Sequence, residues 1–391
     1  MTHSEITSRW SRRFVLTGAL FLVAWQVTLL AGFAYRIGVV LGLLGFIFHT
    51  IFGKAYSLVP TYFDRTLAWP RLMPVHLFAS ATGTVLIAVD SVSTVSLAGQ
   101  VGAILWCSAI VIFLLTLVVS IRDNPTGRET GTGDHNAHRE YVDRRANLGI
   151  PVALGFLALG SYELLAVQTG LSPVFDQYRP RVFHLLATGT GTLFVFAIGF
   201  RLLPRFFVAT PPDRLVSVVI AAGAVGPFLL AVGLPAGTHL QFGAILQSIA
   251  VLGYATAIGT LTARSDRTRI GLFAVVIGAI AGVAGVTLGL VFAFDGITAN
   301  LRLAHLRVNL LGFLGLTIVG VTYQFYPPTV IDLPVPSDWV GGGVIASVSL
   351  ALVLETLGAL TLTSLLTVGY VFATLGAIVH FGLLVAIFHS R

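Results

Sequence analysis

Residues 301–327 read LRLAHLRVNLLGFLGLTIVGVTYQFYP. The only charged residues are Arg302 and Arg307, both near the start, and glycines punctuate the apolar middle. As a helix the stretch is about 40 Å long, enough to cross a hydrocarbon core of about 30 Å. Its ends are distinctive: Arg302 with His305 three residues later at one end, Tyr323 four residues before Pro327 at the other.

The same order of residues occurs twice earlier. Arg36 and Val39 open a glycine-rich run that closes with Tyr56 and Pro60, and Arg181 and His184 open one that closes with Phe200 and Pro204. From the Val or His position to the proline is 21, 20 and 22 residues (39 to 60, 184 to 204, 305 to 327). That is about 31 Å of helix, one membrane thickness.

The rest of the chain is as apolar as these stretches. Of 391 residues, 56% are hydrophobic and 10% charged, and the mean hydropathy is +0.91. A soluble globular chain carries about 25% charged residues, so lipid is the expected surrounding. Apolar runs predict twelve spans, at 14–34, 36–60, 72–92, 97–121, 148–170, 181–206, 214–235, 239–263, 270–294, 301–327, 339–362 and 364–389. The three related stretches are then spans two, six and ten. The expected fold is an all-α integral membrane protein, one transmembrane domain over 1–391, with about twelve helices in three pseudo-equivalent groups of four. The repeat units are about 14–121, 148–263 and 270–389. The polar segment 122–147, rich in Gly, Thr, Asp and Arg, reads as a flexible cytoplasmic loop.

A net charge of +7 reflects topology here rather than nucleic-acid binding. With the N-terminus inside, eighteen basic residues fall on the cytoplasmic side: Arg9, Arg12, Arg13, Lys54, Arg65, Arg71, Arg122, Arg128, Arg139, Arg144, Arg145, Arg201, Arg205, Arg214, Arg264, Arg267, Arg269 and Arg391. Five fall outside: Arg36, Arg179, Arg181, Arg302 and Arg307. This bias orients the chain with both termini cytoplasmic. Lys54 is the sole lysine, a usage that points to a GC-rich prokaryote and its cell membrane. Ser11-Arg12-Arg13-Phe14-Val15-Leu16 imitates a twin-arginine signal, but the apolar run after it is long and lacks a small-residue cleavage site. The lone Cys107 excludes a disulfide framework and a cysteine metal site.

Twelve helices in three groups of four, with histidines near the outer ends of second helices, resemble the large subunit of haem-copper oxidases and nitric oxide reductases. The segment from Arg302, His305 and Asn309 to Gly320, Tyr323 and Pro327 is similar to a haem-ligating helix of that superfamily. NnrS-type haem and copper membrane proteins, alike in length and helix number, are a second, weaker resemblance. The first implies a b-type haem with His184 or His305 as axial ligand and Arg181, Arg302 or Arg36 on the propionates. His239, at the outer start of span eight, is a further metal-ligand candidate. The sequence also departs from that pattern. Val39 stands where the low-spin haem takes a helix 2 histidine, and Arg307 replaces the second histidine of helix 10. Run 214–235 has no histidine for copper. Copper and oxygen reduction at a binuclear centre are therefore not expected.

A plainer reading has His184 and His305 hydrogen-bonded to neighbouring helices, with the arginines reaching the headgroups. His49 and His380, each in mid-span, read as buried polar contacts or ligands, and His76 as structural. Intramembrane Glu163 and Glu355 read either as proton or cation carriers or as ion-paired groups. Lys54 and Arg201 read as snorkelling to the cytoplasmic headgroups. His135 and His138 have ligand-like spacing, but no evident helix aligns them.

Three functions are open: an oxidase-like haem protein in electron transfer or nitric-oxide and oxygen handling, a twelve-helix transporter, and a non-catalytic scaffold of a respiratory complex. Expected partners are the lipid bilayer and respiratory-chain subunits or a small electron-transfer protein, with no nucleic acid.

Overall fold

A computed structural model describes residues 2–92, 96–332 and 334–390; of the basic residues counted above, Arg391 lies outside them. The described chain is all helix, with no strand, and twelve helices are long and apolar enough to cross a membrane. They are α1 His3–Leu30, α2 Tyr35–Tyr62, α3 Pro70–Asp90, α4 Leu97–Ile121, α5 Asp134–Thr169, α6 Arg179–Phe207, α7 Asp213–Gly233, α8 Thr238–Ala263, α9 Ile270–Asp295, α10 Ala299–Val330, α11 Ser337–Leu360 and α12 Ser364–His389. Residues near the two ends of the chain, Arg12 and Arg13 of α1 and Phe388 of α12, line one cleft. That side of the bundle is here the terminal face, and the opposite side the far face.

Three of the twelve sit inside the others. In α2, α6 and α10 the most apolar eighteen-residue windows are 94, 67 and 78% buried, against 33–56% in the other nine helices. The neighbours repeat every fourth helix. The third and fourth helices of each quartet pack against each other, as do the first and second. The quartets join as α4 to α5, α8 to α9 and α12 to α1, closing a ring. The closing aromatic of each inner helix meets a ring on the fourth helix of its quartet. Tyr56–Phe113, Phe200–Tyr254 and Tyr323–His380 have centroids 5.1, 5.6 and 5.4 Å apart.

In lipid, helix association depends on close van der Waals fit and interhelical hydrogen bonds, because burying apolar surface gains little there. The glycines supply the fit. Gly271 of α9 and Gly320 of α10 bring their backbones into direct contact, and Gly45 of α2 lies under the Phe21 ring of α1. Outward-facing residues such as Phe78, Leu97 and Ile280 are exposed, as a lipid-facing surface requires. Trp10, Trp69 and Trp339 lie near the terminal face, where indole rings suit the headgroup region.

Each inner helix also contains a stretch of π-helix at the same register: Val40–Ile47, Leu185–Thr192 and Val308–Leu316. These wide turns meet at the axis. A methyl group on Gly191 would lie 3.6 Å from Leu314 and 4.0 Å from Ile47. Val39 and His184 immediately precede their π-stretches, and His305 comes three residues before its own. π-Turns are frequent at functional sites.

Three sequence expectations need correction. The first helix begins at His3, eleven residues before the expected 14, because Thr2 and Glu5 form a capping box that nucleates it. The segment 122–147 is built rather than flexible: Asp134–Arg139 and Glu140–Asn147 are helical. Asn124 bonds the carbonyls of Phe63 and Glu129, and Asn147 that of Tyr62. Arg201, expected to reach the headgroups, turns inward to the same segment. It donates to Asn147 and to the carbonyl of Thr130 and pairs with Asp143, which also takes Arg205. Two arginines at a helix end need a carboxylate, and the polar segment supplies it.

Candidate functional site

His184 and His305 stand together at the far-face end of the inner helices. Their ring centroids are 6.4 Å apart and their planes 21° from parallel. Each ring is held by its Nδ1, His184 against the Pro180 carbonyl at 2.7 Å and His305 against the Gly285 carbonyl of α9 at 3.1 Å. A carbonyl accepts, so His184 Nδ1 carries the proton and its Nε2 keeps its lone pair; His305 Nδ1 also faces the Asn309 Nδ2 donor at 3.3 Å, so its tautomer follows whichever of the two partners it takes. No hydrogen bond to either Nε2 is present among the described residues.

Several neighbours fix the pair. Thr188 donates to the His184 carbonyl, and Asn309 Nδ2 to the His305 carbonyl at 2.8 Å. The Phe292 ring of α9 lies 5.0 Å from that of His305. Gly289 leaves space beside His305, since a methyl group there would sit 3.6 Å from its Cε1. Beyond Gly285 no residue of α9 is buried, although its Leu290 and Ala293 pack against Leu230, Leu240 and Ala244 of α7 and α8.

The arginines named from the sequence divide. Arg181 is buried and committed: it pairs with Asp176, donates to the Leu234 carbonyl and lies over the Phe175 ring. Arg302 is exposed and lies 5.5 Å from the Tyr35 ring of α2. Arg36 is exposed, with no hydrogen bond or ion pair among the described residues. His239 is exposed at the start of α8 and contacts neither histidine.

The space between α2 and α10 is closed differently. Val39 and Arg307 line a small cavity of about 20 Å³ with Trp25, Tyr35, Leu310 and Tyr370. Arg307 is buried, pairs with Glu355 of α11, and donates to Gln26 of α1 at 3.1 Å. Glu355 is thus ion-paired. Glu163 accepts the Val174 amide at 2.6 Å, so it ties down the loop between α5 and α6.

Three buried histidines of the spans have local partners. His49 bonds the Leu44 and Gly45 carbonyls through Nδ1 and Ser80 through Nε2. His76 shares a hydrogen bond with Tyr56 at 2.8 Å, and His380 with Tyr323 at 3.0 Å. Lys54, expected at the headgroups, donates to Tyr326 at 3.2 Å over the Phe325 ring.

Sequence reasoning missed the supports rather than the histidines. Pro180 and Phe292 carry no motif, and the Gly285 carbonyl is a backbone group. The partner of Glu355 had a usable signal, since a buried arginine two residues after His305 needs a carboxylate within reach.

Chemically, the site offers two adjacent imidazoles, with the His184 Nε2 lone pair left free by the Nδ1 bond to Pro180. Among the described residues no group of three His, Cys, Asp or Glu side chains is placed to hold a metal ion. A bare zinc ion takes three or four protein ligands, so two histidines do not suit it. They do suit an iron whose other positions are filled by a macrocycle, as in a haem. No protein-family model matches the chain, and no curated protein matches it.

Proposed function

We propose that this chain is a membrane-embedded b-haem protein on a scaffold like that of the haem-copper oxidase large subunit, serving electron transfer or nitric-oxide and oxygen handling. The single observation carrying this reading is the His184–His305 pair, with His184 Nδ1 on the Pro180 carbonyl, His305 Nδ1 between the Gly285 carbonyl and the Asn309 amide, and neither Nε2 hydrogen-bonded among the described residues. A second-atom hydrogen bond of this kind orients a metal-ligating imidazole and raises its basicity. His184 and His305 would hold the haem, which when bound supplies one-electron redox chemistry. Arg36 and Arg302, which have fewer protein ties than Arg181, would pair the propionates, since Arg181 is already paired with Asp176.

The copper site of the resembled family has no donor set here. Arg307 and Val39 replace the ligands of a second haem, and the cavity they line is far smaller than a haem. The basic-residue bias favours both termini cytoplasmic, and in that orientation the histidine pair lies towards the outer surface; the lysine-poor usage favours the cell membrane of a prokaryote. An external one-electron carrier or a respiratory-chain subunit is the partner that fits this placement. A transporter reading has less support, because these contacts repeat by four helices whereas common twelve-helix carriers divide into two halves of six.

The test is the absorbance of chain purified from haem-sufficient cells. A Soret band with a b-type pyridine haemochrome is expected, strongly reduced in His305→Ala. Colourless protein that co-purifies with oxidase or reductase subunits supports the scaffold reading instead, which Val39 and Arg307 in place of ligand histidines favour.

A further inference from the structure

We propose that the cleft between the start of α1 and the end of α12 holds an acidic phospholipid, its phosphodiester at Arg12 and Arg13 and its acyl chains along both helices. The site lies on the terminal face, away from the histidine pair, and stands whether or not the chain holds haem.

Charge is the first argument. Arg9, Arg12 and Arg13 line the cleft, which measures about 600 Å³, and Glu5 is the one carboxylate in its lining. The four recur at steps of three and four residues, so they share one face of α1. One Glu5 oxygen is already taken by the Thr2 amide at 2.8 Å. Arg12 donates weakly to the Ser8 hydroxyl at 3.5 Å, and Arg13 lies 4.3 Å over the Trp10 ring, a contact that leaves its in-plane N–H groups uncommitted. Both side chains are half-buried, and neither pairs with a carboxylate among the described residues. A fourth cation stands behind the cleft. The Phe388 ring meets the Tyr326 ring edge-on at 4.7 Å, and Tyr326 accepts from Lys54. Lys54 likewise has no ion pair among the described residues. Positive charge gathered in this way attracts an anion from outside the chain, and guanidinium groups are suited to phosphate oxygens.

The shape decides what carries that phosphate. At its deep end the lining turns apolar, with Leu16 on α1 and Phe388 on α12. Along the same two helix faces, Leu20 and Val27 of α1 and Val385 and Ile378 of α12 are exposed by 54, 44, 43 and 49%. Val15, Ala19 and Leu384 seal the seam behind them. Both walls therefore continue as apolar surface open to the hydrocarbon. A free phosphate or an acidic peptide meets the arginines and leaves that surface bare. A phospholipid covers both, as acidic lipids do in basic pockets between transmembrane helices.

The position gives the lipid a task. At two quartet junctions the chain links the packed helices directly, through 122–133 between α4 and α5 and 264–269 between α8 and α9. The helices α12 and α1, last and first, have no such link. A headgroup on α1 with tails across Phe388 joins them and stabilises the closed ring, as a ligand of the folded state does.

The full-length chain, purified in detergent and stripped of lipid, is melted with added phosphatidylglycerol, phosphatidylcholine or inorganic phosphate. Phosphatidylglycerol is expected to raise the melting temperature, and the other two are not. In Arg12→Gln/Arg13→Gln the phosphatidylglycerol concentration for half the shift is expected to rise roughly thirtyfold, the usual worth of two basic residues at headgroup level. Ser8→Glu, at an exposed position, keeps both arginines and gives Arg12 an internal carboxylate; it too is expected to weaken the lipid. Arg267→Gln/Arg269→Gln removes two exposed arginines of the α8–α9 loop on the same face and is expected to respond as native. No shift with phosphatidylglycerol overturns the proposal, as does an equal shift with phosphatidylcholine, for which charge is then irrelevant. A shift with inorganic phosphate alone overturns it because the ligand is then a soluble anion. Unchanged affinity in both cleft variants, or equal weakening in the loop variant, overturns it because the cleft is then not the site.

Discussion

Arg307 on α10 and Glu355 on α11 form an ion pair sealed from solvent, with the Gln26 side chain of α1 completing the guanidinium. Three helices of two quartets are joined at that point. Separating the partners is expensive, because an unpaired charge cannot stay in an apolar interior. Glu355→Leu alone is expected to cost about 3–5 kcal/mol. Adding Arg307→Leu should return much of that loss. Melting of the detergent-solubilised variants checks this, and costs that simply add would contradict the pairing account.

The Gly271–Gly320 crossing makes a second prediction. A methyl group at Gly320 meets the Gly271 carbonyl, and backbone cannot move aside. Gly320→Ala is expected to destabilise by about 1–3 kcal/mol. Gly259, exposed on α8 with nothing within 4 Å of an added methyl, is the control. Gly259→Ala is expected to be neutral or to gain up to about 1 kcal/mol from helix propensity. Equal losses at both positions would show that the crossing is not tight.

Acid should loosen the far-face loop. Partial desolvation pushes the Asp176 carboxyl up, but the Tyr178 amide and the Arg181 guanidinium outweigh it and hold the carboxyl below its ordinary 3.8. A carboxyl so depressed stabilises the folded chain above the unfolded value, and that contribution is lost as pH falls through the folded value. Native protein is therefore expected to hold its melting temperature down to about pH 4 and to lose some of it below. Asp176→Asn should be less stable at neutral pH and should lack that component of the acid response. An unchanged acid limb in the variant would remove Asp176 from the account.

Orientation is testable in cells with Cys107→Ser as background. A cysteine at Ala137, in the Asp134–Arg139 turn, is expected to resist a membrane-impermeant thiol reagent added outside. One at exposed Val174, on the α5–α6 loop, is expected to react. The opposite pattern reverses the assignment of faces.

The sequence was most informative where the physics is one-dimensional. Twelve apolar runs became twelve spans, because hydrocarbon thickness sets their length. The inner position of α2, α6 and α10 has a trace in their glycine content and in the Arg-to-Pro grammar of their ends. The π-stretches have none: whether Leu185–Thr192 winds with wide turns depends on the helices beside it, as at Gly191. The 122–147 segment misled for a related reason. Its Thr130, Asp143 and Asn147 look like loop polarity until Arg201 and Arg205 are placed opposite them. At the candidate site both histidines were legible from spacing, whereas their 6.4 Å approach and the carbonyls that orient them are products of packing. The Thr2–Glu5 capping box was readable but lay outside the apolar run that drew attention.

The most direct test of the whole account is the ratio of haem to chain, from the pyridine haemochrome set against quantitative amino-acid analysis of the purified protein. One haem per chain is the predicted result, because α6 and α10 offer an imidazole pair while Val39 and Arg307 close the space between α2 and α10. A ratio near zero contradicts the central claim, and a ratio near two contradicts the reading of the second space as filled.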